Sequence, residues 1–209
     1  MEKYVLDTNL FFNMESGLGL AQKTETVIIE LSKIIQQLKN SQKAEFFMPP
    51  KAVDELLSFF EDKNQAFLKT FLSLITIKSP EAEKITVSAQ IISDLVADIR
   101  LRSYRGLQIA EEEMDLATQG LLQKNISLQN KKDYQISMGL YKKKLRDRYR
   151  RATRFGFIDS LTDLELMLLS LELKGYLISS DEGVVNWGRK FGVREIPAGL
   201  FLEHLRNLE

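Results

Sequence analysis

Short apolar runs alternate with helix-period segments at both ends of this 209-residue chain, and no other feature restricts the fold as much. Residues 3–7, 45–48, 175–180 and 193–196 read as strands, each closed by a polar residue, a proline or a turn. Leu74-Ile75-Thr76-Ile77 reads as either a strand or a helix end. Val27, Leu31, Ile34, Ile35 and Leu38 recur at a 3.6-residue period and predict a helix over 24–39, with Thr24 as its N-cap. Further helices are expected over 51–60, 63–72 and 158–173, after Glu182, and from Pro197 to about Leu208. Runs of this kind interleaved with helices predict an α/β fold, a parallel sheet flanked by helices, because parallel strands need a crossover connection.

The middle of the chain breaks the alternation. From Ile85 to Gln123 there is no proline and only two glycines, Gly106 and Gly120. One long helix is expected there, roughly 60 Å if unbroken at Gly106. Asn125-Ile126-Ser127 signals a turn, and a second long helix is expected over 129–154. The chain thus divides into a discontinuous core, 1–80 and 155–209, and a long inserted helical hairpin, 81–154. Ile85, Ile92, Val96, Ile99, Met114, Leu121, Ile136, Met138 and Leu140 are more apolar positions than two isolated helices can bury, so association between copies is expected.

Composition excludes several chemistries. There is no cysteine, which removes disulfides, thiolate metal sites and a thiol nucleophile, and suits a reducing cytoplasm. His204 is the single histidine, so two-histidine acid–base chemistry is closed to one chain; it lies among Leu202, Leu205 and Leu208 and reads as a packing or surface residue. No run of about 18 apolar residues is present, and the start of the chain lacks a signal-peptide pattern, so no membrane association is expected.

Hydrolysis by such a chain rests on carboxylates. Asp7 ends the run Tyr4-Val5-Leu6, and Asp181 ends Tyr176-Leu177-Ile178-Ser179-Ser180. In an α/β sheet, ligands sit beyond the carboxyl ends of the strands, where both would lie. Asp159 and Asp163 are four apart and are expected on one face of their helix, near its N-terminus. Each has a local alternative: a turn for Asp7, helix-end charge for Asp159 and Asp163, an N-cap for Asp181. Gathered together, four acids repel one another unless divalent cations lie between them. They could hold one or two Mg²⁺ or Mn²⁺ ions and promote phosphodiester hydrolysis. Thr8, Asn9 and Ser180 are placed to orient carboxylates or waters, though turn and cap roles suit them equally.

Tyr4-Val5-Leu6-Asp7-Thr8-Asn9 resembles the opening of a PIN domain, a metal-dependent nuclease fold. Phe157-Ile158-Asp159-Ser160-Leu161-Thr162-Asp163 and Leu177-Ile178-Ser179-Ser180-Asp181 resemble its closing half. With the inserted hairpin, the whole chain resembles the minimal protein-only ribonuclease P family called HARP, also described as RNA ligase partner proteins. The resemblance implies removal of 5′ leaders from precursor tRNA without an RNA subunit, with Asp7, Asp159, Asp163 and Asp181 as catalytic metal ligands. It also implies assembly through the hairpin into a large homo-oligomer, a dodecamer. Many PIN domains carry a glutamate after the second strand. Glu55 is the matching position here, with Asp54 beside it leaving the register open.

The second hairpin helix carries ten basic and two acidic residues from Lys131 to Arg154. A charge run is usually a solvated face. Here Lys142, Arg146, Arg150 and Arg154 recur every four residues, with Lys143 and Arg151 beside them, and like charges at that spacing oppose one another. A self-repelling stripe suits an external polyanion, and RNA contacts are expected there, beside the catalytic pocket. Two other readings stay open: a toxin-like PIN ribonuclease acting on other RNA, and a non-catalytic RNA-binding assembly protein.

Overall fold

The computed structural model describes residues 1–12, 24–123 and 131–208, and the turn expected at Asn125-Ile126-Ser127 lies outside them. Two compact units are present: Met1–Ser88 together with Gly156–Glu209, and Ala89–Phe155. Residues 81–88 therefore lie with the core.

In the first unit the described strands are β1 (Glu2–Leu6), β2 (Ala44–Met48), β3 (Thr76–Ile77), β4 (Tyr176–Ser179) and β5 (Arg194–Pro197). They form one sheet in the order β3-β2-β1-β4-β5, with every pairing parallel. Tyr4, Val5 and Leu6 of central β1 are all fully buried. Successive strand side chains face opposite sides, so three buried neighbours mean that both faces of the sheet are covered. The covering helices are α1 (Asn9–Phe12), α2 (Thr24–Asn40), α3 (Pro50–Ser58), α4 (Ala66–Leu74), α7 (Leu161–Leu173), α8 (Glu182–Phe191) and α9 (Ala198–Arg206).

Tyr4 anchors the amino-terminal half of β1. Its ring stacks on Phe46 and Tyr176 and meets Phe201 edge-on, at centroid distances of 5.3, 5.8 and 5.5 Å. Its hydroxyl donates to Glu2, and His204 Nε2 lies 2.9 Å from both the Glu2 carboxylate and the Tyr4 hydroxyl. His204 is thus a polar tie from α9 to β1 rather than a mere packing residue. Burial is the main cause holding the Tyr4 phenol above its ordinary range, with Glu2 adding to it, so it stays neutral.

Three local expectations change. α1 is a single turn of helix after Asp7, where only a polar turn is expected; Leu10 and Phe11 bury themselves there. α7 starts at Leu161, not at Ile158, because Ser160 is extended and its Oγ accepts from the Asp163 amide at 3.0 Å. Asp159 therefore lies before the helix instead of sharing a helical face with Asp163.

The third concerns the second unit, whose helices are α5 (Ala89–Gln123) and α6 (Lys131–Arg154). α5 begins four residues later than expected and runs unbroken through Gly106, where the missing side chain makes room for the Tyr149 ring of α6; Gly120 does the same for Tyr141. Between these sockets Glu113, 2% exposed, receives Arg148 at 2.7 Å and Lys144 at 3.3 Å, and Glu112 receives Arg148 at 2.6 Å. The Arg148 hydrogen bond leads in holding the Glu113 carboxyl below its usual range. Ile92, Val96, Ile99, Met114, Ile136 and Leu140 are exposed. No helix among the described residues is long and apolar enough to cross a membrane.

The β4–β1 junction gives a direct test of this packing. A Cβ on Gly175 would stand 2.7 Å from the Lys3 carbonyl oxygen, which the sheet does not let move. Gly175→Ala is expected to destabilise by about 1–3 kcal/mol. Thermal unfolding of the variant should show a midpoint lower by several degrees, and an unchanged midpoint would contradict the register of β1 with β4.

Candidate active site

The strand order places the site before any side chain is considered. From β1 the chain winds outward through β2 and β3, then returns to the other side of β1 for β4 and β5. The crevice between β1 and β4 is thus a topological switch point, where ligands bind in open α/β sheets. Asp7 follows the last residue of β1, and its amide donates to Ile178 O at 3.0 Å, extending the ladder to the strand ends. Asp181 lies two residues beyond β4.

Asp7 is 3% exposed. Its Oδ2 receives the Ser179 hydroxyl at 2.5 Å and the Asn9 side-chain amide at 3.4 Å, and its Oδ1 receives the Asn9 backbone amide at 3.4 Å. Burial pushes the Asp7 carboxyl up to about 6; the hydrogen bonds from Ser179 and Asn9 oppose this, and the charges of Glu55 and Asp181 add to it. Asp163 is half-buried in the first turn of α7. Burial also pushes its carboxyl up to about 6, against the Ser160 hydrogen bond, and the charges of Asp7, Asp181 and Asp159 push the same way. The acids expected from the sequence therefore share one electrostatic environment. Two of them are raised by burial and by their neighbours well above the usual carboxylate range.

Supporting residues fix the individual carboxylates. Asp181 caps α8, its Oδ1 accepting from the Val184 amide at 3.0 Å, while its own amide donates to Ser179 Oγ at 3.0 Å. Ser179 thereby joins Asp7 to Asp181. Sequence reasoning names Ser180 for such a role and misses Ser179; strand alternation, continued one step past the Leu6–Ile178 pair, sets residue 179 opposite Asp7. Thr8 is buried, and its Oγ1 reaches Ala52 O at 3.3 Å and Glu55 Oε2 at 3.4 Å. Glu55, rather than Asp54, is therefore the α3 acid turned toward Asp7. Asp159 is exposed in the loop before α7.

That loop is held by a close approach. A Cβ on Gly183 would stand 2.5 Å from the Phe157 carbonyl oxygen and 2.8 Å from its nitrogen, so only glycine lets α8 meet this backbone. The Phe157 ring packs edge-on against Trp187 at 5.7 Å. Among the described residues, no three His, Asp or Glu side chains are gathered closely enough to hold an ion. The donor chemistry nonetheless fits a hard divalent cation: every group is a carboxylate, and at least two are frustrated by burial and by neighbouring carboxylates.

This electrostatics predicts a stability cost. The Asp7 carboxyl titrates near 6 in the folded chain and near 3.8 when unfolded, so the folded state binds more protons between these values. The penalty is complete above pH 6, shrinks as pH falls through 6, and vanishes below about 3.8. It amounts to something on the order of 2–3 kcal/mol. In chelator at pH 8, Asp7→Asn should therefore melt several degrees above the parent protein, and the gap should close by pH 4. A lower midpoint for the variant at pH 8 would contradict the assignment. Gly183→Ala should move Phe157 and, with it, Asp159. RNA cleavage is expected to fall about tenfold or more, within the range for lost supporting contacts, with the unfolding midpoint changed by only a few degrees.

Comparisons with known proteins identify the family. Residues 3–209 match the model of the PINc domain ribonuclease family. A protein of Nitrosococcus oceani named RNA-free ribonuclease P is 33% identical over 210 residues, covering 100% of this chain and 94% of the relative. Its namesake in Thermodesulfovibrio yellowstonii is 34% identical over 203 residues, covering 97% and 93%. That of Pyrococcus furiosus is 31% identical over 209 residues, covering 100% and 94%. Ribonucleases with this domain generally use divalent metal ions. The chain is an endoribonuclease and belongs to the RNA-free ribonuclease P family of PINc-domain ribonucleases.

Proposed function

We propose that this protein removes the 5′ leader of precursor tRNA by metal-dependent hydrolysis in the crevice between β1 and β4. The observation that carries the reading is the electrostatic frustration of Asp7 and Asp163, each raised to about 6 by burial and by neighbouring carboxylates. The names of its full-length relatives support the substrate.

Asp7, Asp159, Asp163 and Asp181 would hold Mg²⁺ or Mn²⁺, with Glu55 as a further ligand from α3. Bound there, such an ion would supply an activated water and neutralise charge on the leaving oxygen, giving a 5′-phosphate on the mature tRNA. Ser179 and Asn9 keep the Asp7 oxygens in one orientation, and the Val184 amide does so for Asp181. Thr8 couples Glu55 to the end of β1.

The hairpin supplies binding. Lys142, Lys143, Arg146, Arg150, Arg151 and Arg154 would contact RNA phosphates, while Lys144 and Arg148 are engaged by Glu112 and Glu113. The exposed Ile92, Val96, Ile99, Met114, Ile136 and Leu140 support assembly of the hairpins into a large homo-oligomer. A cysteine-free chain suits the cytoplasm, where precursor tRNA is processed.

Asp163→Asn should lower precursor-tRNA cleavage in Mg²⁺ more than about 100-fold, beyond the cost of losing a supporting partner. Chelator should stop the parent enzyme, and added Mg²⁺ should restore it. Product-end mapping should place the cut at the mature 5′ end; full activity of the variant, or cleavage of mature RNAs instead of leaders, would overturn the reading. Replacing Arg146 and Arg150 together with glutamine should flatten the dependence of log affinity on log salt by about two contacts' worth. Light scattering should give a mass well above the 24.0 kDa of one chain.

A further inference from the structure

α3 carries an exposed stripe whose composition the acid pocket does not explain. Lys51, Glu55 and Phe59 recur every four residues and so share one side of the helix, each about 6 Å further along its axis. The middle residue is the acid at the pocket, beside Thr8. One turn beyond it is an aromatic ring that is 57% exposed. The ring is not loose. Phe12, the last residue of α1, stacks on it at 3.9 Å between centroids and 29° between planes. Phe12 in turn meets Phe60, which packs edge-on against Phe67 at 5.6 Å.

The placement ties this aromatic pair to the reaction. α1 begins two residues after Asp7, and Asn9 in its first turn hydrogen-bonds Asp7. α3 brings Glu55 to Thr8 and ends at Ser58, with Phe59 as its C-cap. The helix that follows Asp7 and the helix that carries Glu55 thus each bring one ring to a single stacked pair. A ring backed on one side and exposed to solvent suits a flat partner of its own kind. In an RNA-cutting enzyme that partner is an unpaired nucleobase, since bases splayed from a single strand stack on aromatic side chains. At the other end of the stripe Lys51 bridges to Glu165 at 2.6 Å and remains 46% exposed, a cation in reach of solvent on the far side of the acid.

We propose that Phe59, backed by Phe12, is a base-stacking subsite that takes the unpaired leader nucleotide next to the scissile phosphate. The subsite rests on the reading of the crevice as the place where the leader is cut. Its role is to hold the strand so that the phosphate following that base lies over the carboxylates. Stacking of this kind tolerates any base, which suits a leader of variable sequence.

The test uses full-length protein and precursor tRNA carrying 2-aminopurine as the last leader nucleotide, with binding read in chelator so that no cleavage is needed. Stacking should quench the fluorophore on binding. Phe59→Ala and Phe59→Leu should both abolish the quench, the leucine variant keeping the apolar contact with Phe12 and its thermal midpoint. Phe59→Trp should retain it. In Mg²⁺, Phe59→Ala should raise KM at least about fivefold with little change in kcat. Replacing the last leader nucleotide by an abasic one should cost the parent enzyme the same factor and the alanine variant nothing further. A quench that persists in Phe59→Ala, or an abasic penalty equal in parent and variant, would overturn the subsite and leave the cleavage reading untouched. Quenching without any cleavage in Mg²⁺ would do the reverse.

Discussion

An ionisable carboxyl at the dry end of a central strand is the constraint from which the rest of the core follows. Asp7 is covered on nearly every side, and water cannot solvate its charge. The surrounding structure answers with donors from β4 and α1, Ser179 and Asn9, and then works against itself by directing further acids at the same crevice. Folding alone would not select such an arrangement. Each added acid makes the empty pocket less stable and makes a compensating positive charge more favourable, so stability is exchanged for affinity toward cations. The switch-point topology makes this possible, because β1 and β4 end side by side while their following segments diverge.

The hairpin shows the same principle applied with opposite sign. Its first helix carries an acidic run, Glu111-Glu112-Glu113. In the folded arm it is internal counter-charge: Glu112 and Glu113 engage Arg148 and Lys144 across the two helices. Ion pairs of this sort, in which only Glu113 is buried, add little net stability, but they can set the register of two helices. Gly106 and Gly120 act alongside them, since each admits one tyrosine ring at one height along α5. Two cations of the basic helix, Lys144 and Arg148, thereby hold the arm together.

Much of this was legible in the chain. Apolar runs ending in aspartate placed Asp7 and Asp181 at strand ends, because a strand that stops at the sheet's edge must turn polar there. The relation of Asp159 to Asp163 was misread, although the signal was present: Ser160 followed three residues later by Asp163 is a capping pattern, and it starts the helix after Asp159. Ser179 was missed for a different reason. Its partner is 172 residues away, and only strand pairing reveals it. Gly183 could not have been found at all, since nothing local requires a glycine there; the requirement comes from the Phe157 backbone.

The long reach between Asp7 and Ser179 also orders events during synthesis. Loop closure over that distance is slow compared with formation of the hairpin, whose contacts are local. A ribosome making this chain releases β1 first and the inserted arm next, while β4 is still in the tunnel or not yet translated. The crevice cannot close until β4 emerges to pair with β1. A nascent chain that has not yet delivered β4 lacks the Ser179 link between Asp7 and Asp181, and its crevice is incomplete.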